Sequence, residues 1–308
     1  MEHWRTTRRA WLPAFFFALL LAQVHGQETA AGNLSFCAYN VRNWLKMERF
    51  EKGRRKEAAG KPEEEKRRVI QTLLDVRPDV LGLCEVGDDQ DVAEIQGLLK
   101  AGGLDLGHLE SCHGGDATRR LVLLSRFPIV ARSSQRELSY RIGATTLPMQ
   151  RGILDATVEV RVGFRIRFLG VHLKSMREVP EADQSLMRKH EARLLREYLD
   201  SILAVDLKAN LLCYGDFNEH RNGPAIATIM GGRSSPGFMA ELQLADAHGQ
   251  VWTHFWDAAD TYSRLDYVFC SRSLRTFIDM KRSGIHLDPE FEKASDHRPI
   301  VIRIREPK

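Results

Sequence analysis

The chain has 308 residues, of which 43% are hydrophobic and 28% are charged, with a formal net charge of +4 at pH 7. This composition supplies enough apolar side chains for a substantial core and excludes an intrinsically disordered protein. A net charge this small gives no general argument for a nucleic-acid-binding protein.

The N-terminal segment has the order of a secretory signal peptide. Three arginines precede the apolar run AWLPAFFFALLLA, and small residues follow it at Val24 and Gly26. The run is too short to span a bilayer comfortably. We therefore predict that residues 1–26 are a signal peptide, that residues 27–308 form one domain, and that the chain is exported, either secreted or periplasmic, without a stable membrane anchor. The alternative is a buried N-terminal helix, and the sequence leaves open whether export follows the general or the twin-arginine route.

Residues 1–26 carry three arginines and one glutamate, so the net charge without them falls to +2. One segment, residues 46–68, leans basic, with ten lysines and arginines against six glutamates. Such a mixed run is typical of a solvated loop or helix face, and a phosphate-facing loop is the alternative.

The five cysteines show no C-x-x-C spacing. Four of them lie in apolar, strand-like runs, where cysteine behaves as a small hydrophobic residue. We predict core residues, with neither a zinc site nor a disulfide bond, although an oxidising compartment would permit disulfides.

Apolar patterning predicts many strands and a few helices. In chain order, the predicted strands are 34–41, 77–86, 119–132, 151–162, 164–174, 210–216, 263–271 and 298–306. The predicted helices are 62–76, 90–103 and 181–204. Hairpin-linked strands outnumber βαβ units, which favours two mixed or antiparallel sheets packed face to face with helices outside.

Six of these strands carry a carboxylate, amide or imidazole at or near one end. These polar positions are Asn40, Glu85, His172, the pair Asp216 and Asn218, Asp266, and the pair Asp296 and His297. Each one alone is more often a turn residue, a cap or a structural histidine. Functional side chains also gather at strand ends, and this set combines complementary chemical roles.

The motifs CAYNVRNW, PDVLGLCEV, LGVHLKS, YGDFN, SRLDYVF and SDHRPIV occur in this order. They resemble the motif blocks of the endonuclease/exonuclease/phosphatase superfamily, from about Leu34 to Ile304. That superfamily includes deoxyribonuclease I, abasic-site endonucleases, inositol polyphosphate 5-phosphatases and bacterial sphingomyelinases. The resemblance implies a four-layer α/β/β/α sandwich. Arg42 stands where abasic-site endonucleases place an acid, so the chain looks closer to the deoxyribonuclease I-like branch.

The resemblance also implies a metal site. Glu85 and Asp296 look like ligands of a hard divalent cation, with Asn40 contributing through its side-chain oxygen or a bound water. Oxygen ligands of this kind suit Mg²⁺, and Mn²⁺ or Ca²⁺ are alternatives.

The catalytic roles follow from the same resemblance. Asp216 would orient or deprotonate the attacking water, and Asn218 would donate to the phosphate. Extended backbone would turn both side chains to one face. His297 would be fixed by Asp266 and donate to the phosphate, and His172 would protonate the leaving oxygen, although the sequence leaves open which histidine is the acid.

Several further residues are candidates for substrate contacts. Arg42 and Lys174 are candidates for the phosphate, whereas Arg119 and Arg120 fit a solvated strand edge better. The aromatic residues Trp252, Phe255 and Trp256 could stack a base, although such residues beside strands usually belong to the core.

The sequence therefore predicts a secreted, metal-dependent phosphodiester hydrolase, with a nuclease acting on DNA or RNA as the leading interpretation. The alternatives are hydrolysis of a phospholipid headgroup or an inositol or sugar phosphate, and a catalytically inactive binding domain. A monomer is assumed, because the sequence gives no information on oligomeric state.

Overall fold

The computed structural model describes Met1 and residues 33–51 and 54–307. Apart from Met1, the predicted signal peptide lies outside the described residues. All elements below belong to the unit Gly32–Lys308, and strands and helices are numbered in chain order.

The first of two large sheets has β1, the first strand of the described chain, near its centre. It contains β1 (Asn33–Trp44), β4 (Val80–Val86), β5 (His108–Cys112), β6 (Arg120–Ser125), β17 (Gly284–Ile285) and β18 (Ile300–Arg305). Their spatial order is β17-β18-β1-β4-β6-β5. The strand β1 runs parallel to β4 and antiparallel to β18, so the sheet is mixed.

The second sheet is also mixed. It contains β7 (Ile129–Arg132), β10 (Leu154–Arg161), β11 (Phe164–His172), β12 (Leu211–Asp216), β13 (Ala240–Glu241) and β16 (Asp266–Cys270). Their order is β13-β16-β12-β11-β10-β7. The strand β12 runs parallel to β11 and antiparallel to β16.

Helices and small hairpins surround these sheets. The helices are α1 (Glu63–Val76), α2 (Asp89–Ala101), α3 (Gln184–Val205), α4 (Pro224–Met230) and α5 (Arg272–Arg275), with single 3₁₀ turns at Asp257–Ala259 and Phe291–Lys293. The hairpins pair β2 (Met47–Glu51) with β3 (Arg54–Ala59), β8 (Ser139–Ile142) with β9 (Thr145–Pro148), and β14 (His254–Trp256) with β15 (Thr261–Ser263). In the described residues, no helix combines the length and hydrophobicity needed to cross a bilayer.

Local chemistry sets the helix starts. The carboxylate of Asp88 accepts the backbone N–H groups of Gln90 and Asp91 at the start of α2. Asp183 accepts the N–H of Leu186 at the start of α3. Such caps satisfy donors that have no partner inside the helix.

The sheets face each other across a central core. The ring of Phe36 on β1 lies 5.1 Å from that of Phe168 on β11 and 4.8 Å from that of Tyr214 on β12. The helices α1 and α2 cover the outer face of the first sheet, and α3 and α4 cover that of the second. The predicted four-layer α/β/β/α sandwich is confirmed.

One predicted strand was wrong. Residues 119–132 form β6 and β7, which belong to different sheets. Pro128, which has no N–H, lies between them, and the Ser125 hydroxyl accepts the N–H of Phe127 at 2.9 Å where the chain turns. The apolar pattern hid this crossing, because Leu123 of β6 and Ile129 of β7 are buried in the same core.

The basic segment 46–68 forms the hairpin β2–β3 and the start of α1. The side chains of β3 are almost all exposed, as expected for a solvated run. All five cysteines lie on strands and are buried and unpaired.

Strand directions explain why the polar strand ends meet. Parallel neighbours end at the same edge of a sheet, as β1 and β4 do, and β11 and β12 do. An antiparallel neighbour begins there, which brings the start of β16 beside the end of β12 and the start of β18 beside the end of β1. One end of the sandwich therefore collects all six polar positions.

Candidate active site

Asn40 links the two sheets at this end. Its side-chain nitrogen donates to Asp216 Oδ2 at 3.1 Å and to Glu85 Oε1 at 3.4 Å, and it lies 3.5 Å from His297 Nε2. Its side-chain oxygen accepts the N–H of Arg42 at 3.1 Å. Asn40, in the C-terminal half of β1, thus links a carboxylate of the first sheet to one of the second.

His297 and Asp266 form a buried pair. The distance from His297 Nδ1 to Asp266 Oδ2 is 2.7 Å, and Nε2 lies 3.7 Å from Asp216 Oδ2. Burial opposes charging of the ring, but the charges of Asp266 and Asp216 prevail and raise the pKa of His297 well above its usual value. The two carboxylates therefore favour the charged form of the ring, which Asp266 holds with Nε2 on the side of Asp216.

Asp216 and His172 have environments that favour their neutral forms. Burial raises the pKa of Asp216 to about 7, and Asp266 and Glu85 add to the rise while His297 opposes it. His172 Nε2 lies 3.5 Å from Asp216 Oδ2. Burial, followed by the charges of Arg151 and His297, lowers the pKa of His172 well below its usual value. Of the two histidines, His297 is thus the cationic one.

The turn after β12 shapes the pair Asp216 and Asn218. The backbone of Asn218 is left-handed (φ 47°), so the expected extended conformation was wrong. Instead, the Asn218 N–H donates to Asp216 Oδ1 at 2.9 Å, and its side-chain nitrogen donates to the Leu173 carbonyl at 3.1 Å. Both side chains still line one cleft. Phe217 turns away and is buried under the outer helices.

A backbone irregularity directs Glu85 into the same cleft. Glu85 has a positive φ of 66°, and the register of β4 against β6 shifts between Cys84 and Val86. Regular alternation would point Glu85 to the helix-covered face, as it does Leu83. Bulges commonly redirect a functional side chain in this way. The Asn43 N–H then donates to Glu85 Oε2 at 2.8 Å and fixes the carboxylate.

Two groups of residues are candidates for a metal. The carboxyl and imidazole groups of Asp216, Asp266 and His297 lie within 4.8 Å of one another. This first group is explained without a metal. A 2.7 Å hydrogen bond joins His297 to Asp266, and a metal would have to displace the proton on the His297 ring. Glu85 and Asp296 instead offer partly exposed carboxylates to the cleft. This oxygen donor set fits a hard divalent cation better.

The cleft itself has a volume of about 340 Å³. It is lined by Asn43, Glu85, Arg119, Arg151, His172, Ser175, Arg177, Asp216, Asn218, His254, Asp296 and His297. Six polar residues predicted for the site are therefore on its walls, and Asn40 and Asp266 lie directly behind them.

The sequence from 37 to 297 matches the model of the endonuclease/exonuclease/phosphatase family. The chain belongs to this family. Its members hydrolyse phosphoric esters, and the chain is an enzyme of that class. No curated protein matches the sequence.

Solved structures of the family share the fold. A truncated TDP2 from Caenorhabditis elegans is 17% identical, with a TM-score of 0.58 over 89% of this chain and 98% of that one. The human nocturnin catalytic domain with bound sulfate is 19% identical, with a TM-score of 0.59 over 88% and 93%. Sphingomyelinase C from Streptomyces griseocarneus is 14% identical, with a TM-score of 0.58 over 89% and 99%.

The two candidate phosphate contacts, Lys174 and Arg42, are not among the residues that line the cleft. The Lys174 ammonium donates to the carbonyls of Ser175 at 3.0 Å and Arg177 at 2.8 Å, so it supports the loop that follows β11. Arg42 lies 3.6 Å from Asp296 and lines an adjacent hollow of about 300 Å³.

The three aromatic residues have separate roles. Trp252 packs beneath the guanidinium of Arg298, 3.9 Å from its ring centroid, and Phe255 is buried against Tyr262. Both are structural. Trp256 is 59% exposed beside Arg42 at the adjacent hollow and is the one of the three that is open to a ligand.

Sequence reasoning missed other cleft residues. Arg119 lines the cleft, contrary to the expected strand edge, whereas Arg120 pairs with Asp89. Arg151 and His254 had no motif to mark them. The ring of His254 lies 4.7 Å from that of His297, and only a basic residue at a strand start could have suggested Arg151.

The turn at Gly215 gives a stability prediction. Gly215 has a φ of 139°, and a Cβ there would lie 1.9 Å from the Val171 carbonyl oxygen. We expect Gly215→Ala to lower the free energy of unfolding by about 3 kcal/mol or more, from strain and overlap together. Chemical denaturation measures this. Gly163→Ala is the control, because Gly163 also has a positive φ but open space around it, and equal losses in both variants would contradict the overlap.

Glu191 of α3 gives a pH prediction. It is fully buried and accepts the backbone N–H groups of Lys174 at 2.6 Å and Gln150 at 3.3 Å. Burial raises the pKa of Glu191 from 4.5 to about 7, so between these pH values the folded chain binds a proton that the unfolded chain has lost. Stability from this group is therefore present at pH 5 and lost as the pH rises through 7, by about 3 kcal/mol at most.

The measurement is urea unfolding of the native chain and of Glu191→Gln between pH 5 and pH 8. The free energy of unfolding of the native chain should fall relative to that of the variant as the pH rises. A constant difference between the two proteins would show that Glu191 does not titrate in this range.

Proposed function

We propose that the chain is a metal-dependent phosphodiesterase that acts on nucleic acid, DNA or RNA, by attack of water on phosphorus. The observation that carries this proposal is the His297 ring, held by Asp266 at 2.7 Å and facing Asp216 in a cleft lined by arginines. An anionic diester needs this combination of cationic donors and one carboxylate for water.

Each residue then has a defined task. Asp216, ionised once the pH exceeds its raised pKa, accepts the proton of the attacking water. The Nε2 proton of His297 first forms a hydrogen bond to the phosphate and then passes to the leaving oxygen. His172, the residue expected for this second task, has a pKa well below its usual value and so lacks a proton to give. Asp266 keeps the ring oriented and charged. Asn218 is held by Leu173, and its second amide hydrogen is available to a phosphate oxygen.

Glu85 and Asp296 would hold the divalent cation, for which we propose Mg²⁺. When bound, such a cation neutralises phosphate charge and polarises a phosphate oxygen. Asn40 contributes by fixing Glu85 and Asp216 relative to each other through its side-chain nitrogen.

A substrate panel tests the proposal. The purified chain would be assayed on plasmid DNA, RNA, sphingomyelin and inositol phosphates with Mg²⁺. Hydrolysis of DNA or RNA with a kcat/KM at least about tenfold above that of the other substrates is the expected result. Activity confined to sphingomyelin or inositol phosphates would sink the nuclease proposal.

We also propose that residues 1–26 direct export and are removed. The support is the order of charged, apolar and small residues in the sequence. Sequencing the N-terminus of the protein recovered from cells should find a start near residue 27. A chain that retains its first residues inside the cell would contradict this.

A further inference from the structure

Three arginines line the cleft that also contains His172. They are Arg119, Arg151 and Arg177, here called the arginine cluster. Two of them are close enough to His172 for their charges to help lower the pKa of its ring. The cluster is therefore an electropositive wall beside the reacting groups, and the catalytic roles assigned above do not use it.

The cluster carries more positive charge than its protein partners neutralise. Asp116 lies 3.4 Å from a terminal nitrogen of Arg119 and 3.6 Å from one of Arg151. In the described part of the chain, Arg177 is exposed and has no acidic partner. Among the described residues, Asp116 is thus the single ion-pair partner of the three guanidinium groups, which leaves two positive charges of the cluster without an ion-pair partner.

The ionisation of Asp116 is tied to its pairing with Arg119 and Arg151. Burial opposes its ionisation, but hydrogen bonds from Thr118 and the charges of Arg151 and Arg119 hold the pKa of Asp116 below its usual range. It therefore stays ionised and positions the two arginines.

Burial and hydrogen bonds fix the positions of Arg151 and Arg119 in the cluster. The side chain of Arg151 is 12% exposed, and its Nε is buried without a hydrogen-bond partner. The N–H groups of Gly114 and Asp116 donate to the Gln150 carbonyl, which fixes the Asp116 loop against the segment that carries Arg151, just before β10. Arg119 is held by its Nε, 2.9 Å from the Asn43 side-chain oxygen. A buried donor without a protein partner beside unpaired positive charge suits an anion.

We propose that the arginine cluster binds a second phosphate group of the substrate, next to the phosphate that is hydrolysed. This inference rests on the proposed function and specifies its substrate class: esters that carry a second phosphate on the His172 side. Guanidinium groups suit this task because they present paired donors to phosphate oxygens. The second phosphate belongs either to a nucleic acid backbone or to a polyphosphorylated sugar alcohol.

The test compares substrates that differ by one phosphate. One pair is a thymidine dinucleotide with and without a terminal phosphate, and the other is inositol trisphosphate against inositol bisphosphate. We expect kcat/KM to be about tenfold higher for the member with the additional phosphate, a ratio that corresponds to about 1.4 kcal/mol. Preference within the dinucleotides identifies the nucleic acid source, and preference within the inositol phosphates identifies the sugar phosphate source.

Arg177→Ala and Arg151→Gln should each reduce this ratio toward one. Arg177 is exposed, so its variant tests the proposal even if Arg151→Gln does not fold. Arg161→Ala is the matched control, because Arg161 is exposed and pairs with Phe164, at the opposite end of β11 from His172. It should keep the native ratio.

The outcomes separate this inference from the proposed function. If no member of either pair is hydrolysed, and plasmid DNA and RNA are not either, the proposed function fails and the subsite fails with it. If both members of each pair are hydrolysed with equal kcat/KM, or if Arg177→Ala and Arg151→Gln both keep the native ratio, the subsite alone is refuted.

Discussion

Replacing His297 with alanine is expected to lower kcat on phosphodiesters by about 10³-fold or more, because the variant loses both the cationic donor and the proton for the leaving oxygen. Asp266→Asn should cost less, about 10²-fold. It leaves the ring in place, but removes the carboxylate at 2.7 Å that keeps the ring charged. Steady-state kinetics on a chromogenic diester measures both losses.

His108→Ala is the control for this comparison, since His108 is an exposed histidine on β5 that does not line the cleft. Its activity should equal that of the native chain. The assignment of His297 would be wrong if His297→Ala, folded by circular dichroism, kept more than about a tenth of the native kcat.

Replacing Asp216 with asparagine is expected to separate activity from stability. The variant keeps the shape of the side chain but loses the proton acceptor, so kcat should fall by about 10³-fold or more. Burial raises the pKa of Asp216 to about 7, so above this pH the native chain maintains an unfavourable buried charge. Asparagine removes that charge, and the melting temperature at pH 8 should stay constant or rise.

Thermal unfolding and kinetics of the same preparations decide this prediction. Asp105→Asn serves as the control, because Asp105 is exposed and pairs with Lys100 away from the cleft. It should change neither property. Loss of activity that occurs together with a clear loss of stability at pH 8 would indicate that Asp216 is a structural residue.

The layers and the polar strand ends could be predicted from the sequence for a physical reason. Each of these strands is an apolar run, and the polar residues at or near its end mark the place where the core gives way to the cleft. Asn40 and Asp216 are separated by 176 residues in the chain, yet strand direction brings them within 3.1 Å. The parallel pairing of β11 with β12 and of β1 with β4 does this.

Other features depend on contacts that no local pattern records. The crossing at Pro128 divides an apolar run that looks continuous. The left-handed backbone of Asn218 comes from hydrogen bonds to Asp216 and Leu173. Arg151 reaches the cleft through the Asp116 loop, 35 residues earlier in the chain. Each of these is decided by tertiary packing, which overrides local propensity.

The proposed catalysis depends most directly on a divalent cation held by Glu85 and Asp296 beside the His297 pair. The most direct test is hydrolysis of bis(p-nitrophenyl) phosphate by the purified chain, first with EDTA and then after addition of Mg²⁺, with Glu85→Gln assayed in parallel. We expect that EDTA abolishes hydrolysis, that Mg²⁺ restores it, and that the variant stays at least about 10²-fold slower at saturating metal. Full hydrolysis in EDTA, or a native rate in Glu85→Gln, would contradict the proposed catalysis.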